Sequence, residues 1–334
     1  MGLRTMIPEN FFREKRILIT GGLGFIGSNL ARRLVGLGAR LTLVDSLIPE
    51  YGGNLFNIRG LENAVRVNIS DVRDRHSMRY LVQGQDYLFN LAGQASHLDS
   101  MEDPETDLEI NCRAQLSLLE MCRVHNPAVK LIFAGTRQIY GKPQYVPVDE
   151  AHPLQPADVN GIHKLAGEFY HLLYCQVYGI PASVLRLTNT IGPGMRIKDA
   201  RQTFLGIWIR CCLEDTPFEV WEGDQLRDFT YVDDAVDALL LAAWSDAATG
   251  ATFNLGGERP ISLVDLAQLL VKVCGRGRFD VISFPKARKQ IDIGHYYSDY
   301  GKIQATLGWT PQVALTEALQ RTVAFYRENL GRYI

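Results

Sequence analysis

The sequence carries almost no net charge: 35 lysines and arginines face 37 aspartates and glutamates over 334 residues. A chain without a basic field does not gather nucleic acid or an anionic membrane surface, so any anionic ligand has to be met locally. The six cysteines, Cys112, Cys122, Cys175, Cys211, Cys212 and Cys274, form no C-x-x-C pair and no Cys/His set of zinc spacing, which points to free, buried thiols. No apolar run approaches the roughly 20 residues that span a bilayer. Residues 1–16 contain no continuous apolar stretch of the kind a secretory signal needs. A cytoplasmic protein with neither nucleic-acid nor membrane partners is expected. Repeats, low-complexity tracts and Pro/Ser/Gly-rich linkers are also missing. With 46% hydrophobic and 22% charged residues, the composition is that of a folded globular chain, and the length suits two unequal lobes around a cleft.

What is present is a regular alternation. Arg16–Thr20 is a brief β-branched and apolar run stopped at once by glycine, which reads as a buried strand. Ile26, Leu30 and Leu34 then recur on one helical face, with Arg32 and Arg33 outward and Gly36 or Gly38 as the stop. Residues 40–44 read as a second strand ending at Asp45. Strand-like segments at 64–67, 87–91, 130–134 and 182–187 alternate with helical ones at 76–83, 107–125 and 162–178. The expectation is a Rossmann-type, doubly wound parallel α/β sheet over residues 1–190. Beyond it, an amphipathic stretch at 204–213, a strand at 218–221 and helices at 233–244, 262–273 and 315–328 are expected to build a smaller C-terminal α/β substrate-binding lobe, residues 191–334, partly interleaved with the first.

Between the first strand and first helix lies Thr20-Gly-Gly-Leu-Gly-Phe25-Ile-Gly27. Gly21, Gly24 and Gly27 permit a tight turn, close approach of backbone N–H groups to a pyrophosphate, and helix–strand contact, while the helix N-terminus adds partial positive charge. Phe25 and Ile26 belong to the same turn. Asp45, about 20 residues on, is placed to accept bonds from ribose hydroxyls and to repel a 2′-phosphate, which favours NAD over NADP. Together with Asp71-Val72, Asn90-Leu91-Ala92-Gly93, Asn111, Tyr140-Gly141, Lys164 and the run from Arg227 to Asp234, this order resembles the extended short-chain dehydrogenase/reductase family, most of all its nucleotide-sugar epimerases and dehydratases. The resemblance implies NAD as cofactor, a nucleotide-diphosphate sugar as substrate and a homodimer. It also implies that Asp71 and Val72 flank the adenine, that residues 90–93 wall the cofactor, and that Asn111 is a buried structural amide.

One position departs from the family. Thr136, four residues before Tyr140, matches the hydroxyl that bonds the sugar oxygen at the reacting carbon, and Lys164 matches the lysine of Tyr-x-x-x-Lys. Asn160 stands where that motif has tyrosine. A phenol beside an ammonium can act as base near neutral pH; an amide cannot. Three readings stay open. A substitute base could serve an NAD-dependent 4-epimerase or 4,6-dehydratase, the candidates being His163, Tyr140, Lys164 and His97. The enzyme could instead catalyse a redox-neutral pyranose/furanose mutase reaction on a GDP- or UDP-hexose, with NAD structural or not turning over. The third is a nucleotide-sugar binding protein without catalysis. The missing base favours the mutase, and Arg137 could stabilise an anionic sugar if it faces the cleft.

On the substrate side, the resemblance gives Asn189 and Arg227 to the sugar diphosphate, a task suited to a planar fork of donors, and more loosely Asp292 and Lys289. Asp233 and Asp234 read as caps of the following helix. His97, Asp99, Glu102 and Asp103 are expected to form a polar loop, with no metal site. Phe204, Trp208 and Trp221 are expected in the core, with stacking on a base as the alternative.

Overall fold

The computed structural model describes residues 7–48, 51–201, 203–285 and 292–334. The first half alternates as expected: β1 (Arg16–Thr20), α1 (Phe25–Gly36), β2 (Arg40–Asp45), β3 (Val65–Ile69), α2 (Arg75–Leu81), β4 (Tyr87–Asn90), α3 (His97–Glu102), α4 (Pro104–Leu108), α5 (Ala114–His125), β5 (Lys130–Thr136), α6 (Val159–Tyr178) and β6 (Ala182–Leu187). The rest comprises β7 (Asn189–Ile191), α7 (Phe204–Glu214), β8 (Pro217–Trp221), β9 (Leu226–Arg227), β10 (Phe229–Tyr231), α8 (Val232–Trp244), β11 (Thr252–Asn254), β12 (Ile261–Ser262), α9 (Leu263–Cys274), β13 (Arg278–Ile282), α10 (Gly301–Leu307) and α11 (Leu315–Asn329). No described helix is long and apolar enough to cross a membrane.

Seven parallel strands form one sheet in the order β11-β6-β5-β4-β1-β2-β3. The order reverses between β1 and β4, and at such a switch point the loops leaving the strands' carboxyl ends diverge and open a crevice. The strands are apolar on both faces because helices cover both: Ile17 to Ile19 are fully buried. Two-stranded pairs β10-β7, β12-β9 and β13-β8 build the smaller lobe.

The expected boundary at residue 190 is crossed repeatedly. Apolar residues of α8, with Phe253, Leu307 and Trp309, join the core made by Ile17, Leu30 and Leu43. Ile191, Leu205, Trp208, Leu266 and Leu319 form the second core, which takes Phe25 from the glycine turn. The interleaving therefore runs through α8 and β11, which return to the large sheet. Asp233 and Asp234 lie inside the first turn of α8 and do not cap it; Asp234 instead accepts the Val313 N–H at 3.1 Å.

Two expected elements differ. The helix expected over 107–125 is interrupted by a π turn, Glu109–Arg113, where the Ile110 carbonyl accepts the Gln115 side-chain amide. The expected polar loop around His97 is the helix α3, because the Ser96 hydroxyl accepts the Asp99 N–H at 3.1 Å and caps it.

Behind the cleft, Arg186 on β6 forks onto Glu168 on α6, Nη2 to Oε1 at 2.5 Å and Nε to Oε2 at 3.1 Å, with both side chains almost wholly buried. Removing one partner leaves a buried charge uncompensated. Glu168→Ala is expected to destabilise the fold by about 3–5 kcal/mol, read as a lowered urea midpoint; a loss within about 1 kcal/mol, on the order of a surface substitution, would reject this account.

Candidate active site

A cavity of about 820 Å³ runs from the carboxyl ends of β1, β2 and β4 into the smaller lobe. At its first end stand Gly21, Gly24, Phe25, Ile26, Gly27, Asp45, Asp71, Val72, Leu91, Ala92 and Gly93. Gly21 has φ +67°, and a Cβ there would meet Ala92 N at 3.0 Å; a Cβ on Gly27 would overlap the Gly21 carbonyl oxygen. The turn thus sits flush against both α1 and the end of β4. Among the described residues no side chain caps α1 and no acidic residue occupies its first turn, so its free N–H groups face the cavity as an anion site. These are the features a dinucleotide pyrophosphate requires, and the residues present fit it.

Asp45 accepts the Leu23 N–H at 3.0 Å and the Leu47 N–H at 2.9 Å, bracing the turn. Burial raises its pKa, against these backbone bonds. Asp71 is gripped by Arg73 through Nε at 2.9 Å and Nη2 at 2.7 Å, which outweighs burial and lowers its pKa. Asn90 does not reach the cavity; it is buried, accepting the Thr20 hydroxyl at 2.9 Å and donating to Gln115 at 2.6 Å.

The middle of the cavity is lined by Thr136, Arg137, Gln138, His97, Asp158, Asn160 and Lys164. Asn160, in the first turn of α6, is tied down. Its Nδ2 lies within bonding distance of Asp107 Oδ2 at 2.9 Å, the Gln94 carbonyl at 2.9 Å and Gln94 Oε1 at 3.1 Å. Asn111 is buried as expected and donates to the same Asp107 oxygen at 3.0 Å, while its Oδ1 has no partner among the described residues. Lys164 lies 5.6 Å over the Phe133 ring and presses on Gly93. Burial pushes its pKa down to about 8, against the pull of Asp107.

Two candidate bases are not brought to the cavity. His163 turns away and donates from Nδ1 to Asp107 Oδ1 at 2.7 Å, because neighbours on a helix diverge by about 100°. Tyr140 is fully buried between Arg186, which donates to its hydroxyl at 2.5 Å, and Asn254, which accepts from it at 2.7 Å. Burial pushes this phenol up to about 12.

At the far end Arg137, Asn189, Arg227 and Asp292 line the cavity. Arg137 faces the cleft: Nη2 donates to Asn189 Oδ1 at 3.4 Å, the guanidinium lies 5.0 Å over Tyr296, and Nη1 is buried without a partner among the described residues. Arg227 approaches Asp292 at 3.6 Å and donates to the Gly294 carbonyl. Burial, then the charge of Arg137, push Arg227 down to about 10. Asp228 is no partner for it, since it points inward to Thr188 at 2.6 Å and the Ser298 N–H at 3.1 Å. Two buried cations sharing one cavity make it receptive to anions. Lys289 lies outside the described residues. Phe204, Trp208 and Trp221 also line this end; Phe204 and Trp208 belong to the second core as well, and Trp221 does not. The sequence offered no sign of the cage around Asn160 or of the partner of His97; Asp158, three residues before Gly161, also accepts the Gly161 N–H at 2.7 Å and caps α6.

Comparison with known proteins matches this geometry. Residues 17–256 fit the profile of the NAD dependent epimerase/dehydratase family. The chain is 31% identical to UDP-glucuronic acid decarboxylase 1 of Xenopus tropicalis, over 97% of this chain and 75% of the relative. It superposes on the UDP-glucose 4-epimerase of Thermotoga maritima, solved with UDP-glucose, at TM-score 0.85 and 30% identity, covering 94% of this chain and 99% of that one. The UDP-glucose 4-epimerase of Thermus thermophilus, solved with NAD, is similar at TM-score 0.83 and 29% identity, covering 93% of this chain and 99% of that one.

Two outcomes are expected. Gly27→Ala forces the turn and α1 apart and weakens NAD binding by about 10- to 100-fold, the equivalent of an overpacked contact; unchanged affinity by calorimetry would reject the tight-turn account. Lys164 titrates at about 8 in the fold against an ordinary 10.5. Between those values the unfolded chain holds more protons, so unfolding free energy rises with pH across the window and the full penalty applies below pH 8. Lys164→Met is expected to stabilise the protein at pH 7 by up to about 3 kcal/mol and to flatten that rise, as read by urea titration at pH 7 and pH 10.

Proposed function

The chain belongs to the NAD-dependent epimerase/dehydratase family, and on that premise we propose that it is an NAD-using 4-epimerase of a nucleotide-diphosphate hexose. The observation that carries this reading is the continuity of the cavity. Its dinucleotide end and its two-arginine end meet at Thr136 and Lys164, so a cofactor and a diphosphate sugar can be bound end to end.

NAD would be held by the turn at 21–27, Asp45, Asp71, Val72 and residues 91–93, with Lys164 completing the wall beside Gly93. When bound it supplies a reversible hydride acceptor. Arg227, Asn189 and Arg137 take the diphosphate of the substrate, whose negative charge relieves the mutual repulsion of the two guanidinium groups. Asp292 orients Arg227, and Phe204, Trp208 and Trp221 offer faces to the nucleotide base. Thr136 holds the sugar hydroxyl at the reacting carbon. The residues after Thr136 are Arg137 and Gln138, neither a proton acceptor at neutral pH. Elimination of water would require such an acceptor beside the ketone, and this favours epimerisation over dehydration. The redox-neutral ring contraction that the missing phenol favours has no counterpart in the relatives described above, two of which are 4-epimerases solved with UDP-glucose or NAD. A homodimer is part of the reading: Phe169, Leu173 and Val177 leave an apolar strip about half exposed along α6, a face that a second copy would cover.

The test is product analysis by NMR with UDP-glucose and UDP-galactose carrying deuterium at C4, with and without added NAD. Interconversion of the two sugars, slowed by the label and dependent on NAD, is expected. A furanose product formed without NAD would replace this reading by the mutase. Tight binding without any product would leave a binding protein.

A further inference from the structure

Among the described residues, one side chain in the middle of the cavity has the geometry of a general base. His97, first residue of α3, lines the cavity with its side chain 38% exposed. Its Nδ1 is bonded to Oδ2 of Asp158, a carboxylate only 6% exposed. A carboxylate accepts and does not donate, so Nδ1 carries a proton, and in the neutral imidazole Nε2 is then the accepting nitrogen. That nitrogen faces the side-chain amide of Gln138, and the backbone N–H of Gln138 bonds the Thr136 hydroxyl oxygen at 3.3 Å. His97 is thereby joined through one residue to the hydroxyl given to the reacting carbon.

The alternatives are consumed elsewhere. Asn160 is an amide with no basic site at neutral pH, His163 is bonded to Asp107 outside the cavity, and Tyr140 is sealed between Arg186 and Asn254. Lys164 stands beside Gly93, and with its pKa pushed down only to about 8 it is a cation rather than a base at neutral pH.

We infer that His97, oriented by Asp158, accepts the sugar hydroxyl proton that a phenol would otherwise take. This rests on the NAD-dependent reading above. The substrate O–H displaces the Gln138 amide from Nε2. The O–H bond breaks with its proton passing to Nε2, the C–H pair leaves the same carbon as hydride for the nicotinamide, and the carbinol becomes a ketone. The two electrons lost by the sugar are those gained by the cofactor; return of the hydride to the opposite face of the ketone carbon, with the proton passing from Nε2 back to its oxygen, restores His97 and gives the epimer. Asp158 is a positioning residue. Burial opposes its ionisation, but the His97 hydrogen bond, the Gly161 N–H and the charge of Arg137 lower its pKa, so a carboxylate is ready to face the imidazolium as it forms.

The test has two arms. In the first, nitrogen-15 NMR of the histidines is recorded at neutral pH without NAD, with His97→Gln assigning the signal. Unprotonated Nε2 is expected, moved by UDP-glucose and unmoved by UDP, which lacks the hydroxyl. A protonated Nε2, or equal response to both ligands, overturns the inference. In the second, cofactor reduction is followed in a single turnover with UDP-glucose. His97→Ala is expected to lower the rate by about 10²- to 10⁴-fold, with UDP-glucose affinity kept and the rate partly restored by added imidazole. Asp158→Asn, which still caps α6, should lower kcat with KM unchanged and redistribute the His97 tautomers. If wild type epimerises and His97→Ala is as fast, the base is elsewhere and the 4-epimerase reading survives. If wild type neither epimerises nor reduces cofactor, that reading fails and the inference with it.

Discussion

A buried carboxylate demands donors, and Asp107 organises the centre of this protein by demanding three. It is almost completely buried at the end of α4, and Asn160, Asn111 and His163 all bond to it. The donors come from the start of α6 and from the π turn, so one carboxylate seats α6 against the segment before α5. Stranding a charge there would cost several kcal/mol. Satisfying it uses up Asn160 and His163, and neither can be both a ligand of Asp107 and a mobile participant in proton transfer. Asn160 is thus held within a hydrogen-bonded core.

Charge elsewhere in the cavity is arranged by the same economy of desolvation. The chain as a whole is almost neutral, yet an uncapped helix N-terminus opens at one end of the cavity and two buried guanidinium groups at the other. Each is costly by itself and relieved by an anion. In the proposed function, binding energy is thereby concentrated on phosphate groups, and the middle, where Thr136, His97 and Lys164 stand, is left for the reacting carbon. The interleaving of the lobes serves this layout: α8 and β11 return to the large sheet, so the arginine wall of the smaller lobe is anchored on both sides to the sheet that carries the glycine turn.

Much of this was legible along the chain because its causes are local. A glycine turn announces itself by four glycines within seven residues, strands by short apolar runs, and α1 by its repeat of Ile26, Leu30 and Leu34. Boundaries slipped where side chains intervened. Ser96 made a helix of an expected loop, and Gln115 took a backbone acceptor and opened a π turn in an expected continuous helix. Assigning Asp233 and Asp234 as caps failed because Val313, far along the chain, supplies the N–H that binds Asp234.

By itself the sequence determined the class of fold, the dinucleotide turn, the order of motifs that marks the family, and the absence of a phenol at position 160. Only the tertiary structure decided which of its titratable groups face the cavity. His163 is claimed by a carboxylate 56 positions away, His97 by one 61 positions away, and Tyr140 by Arg186, 46 positions away. A side chain's protonation and reach are set by the partners that desolvate and bond it, and those partners become neighbours only when the sheet and its helices have packed.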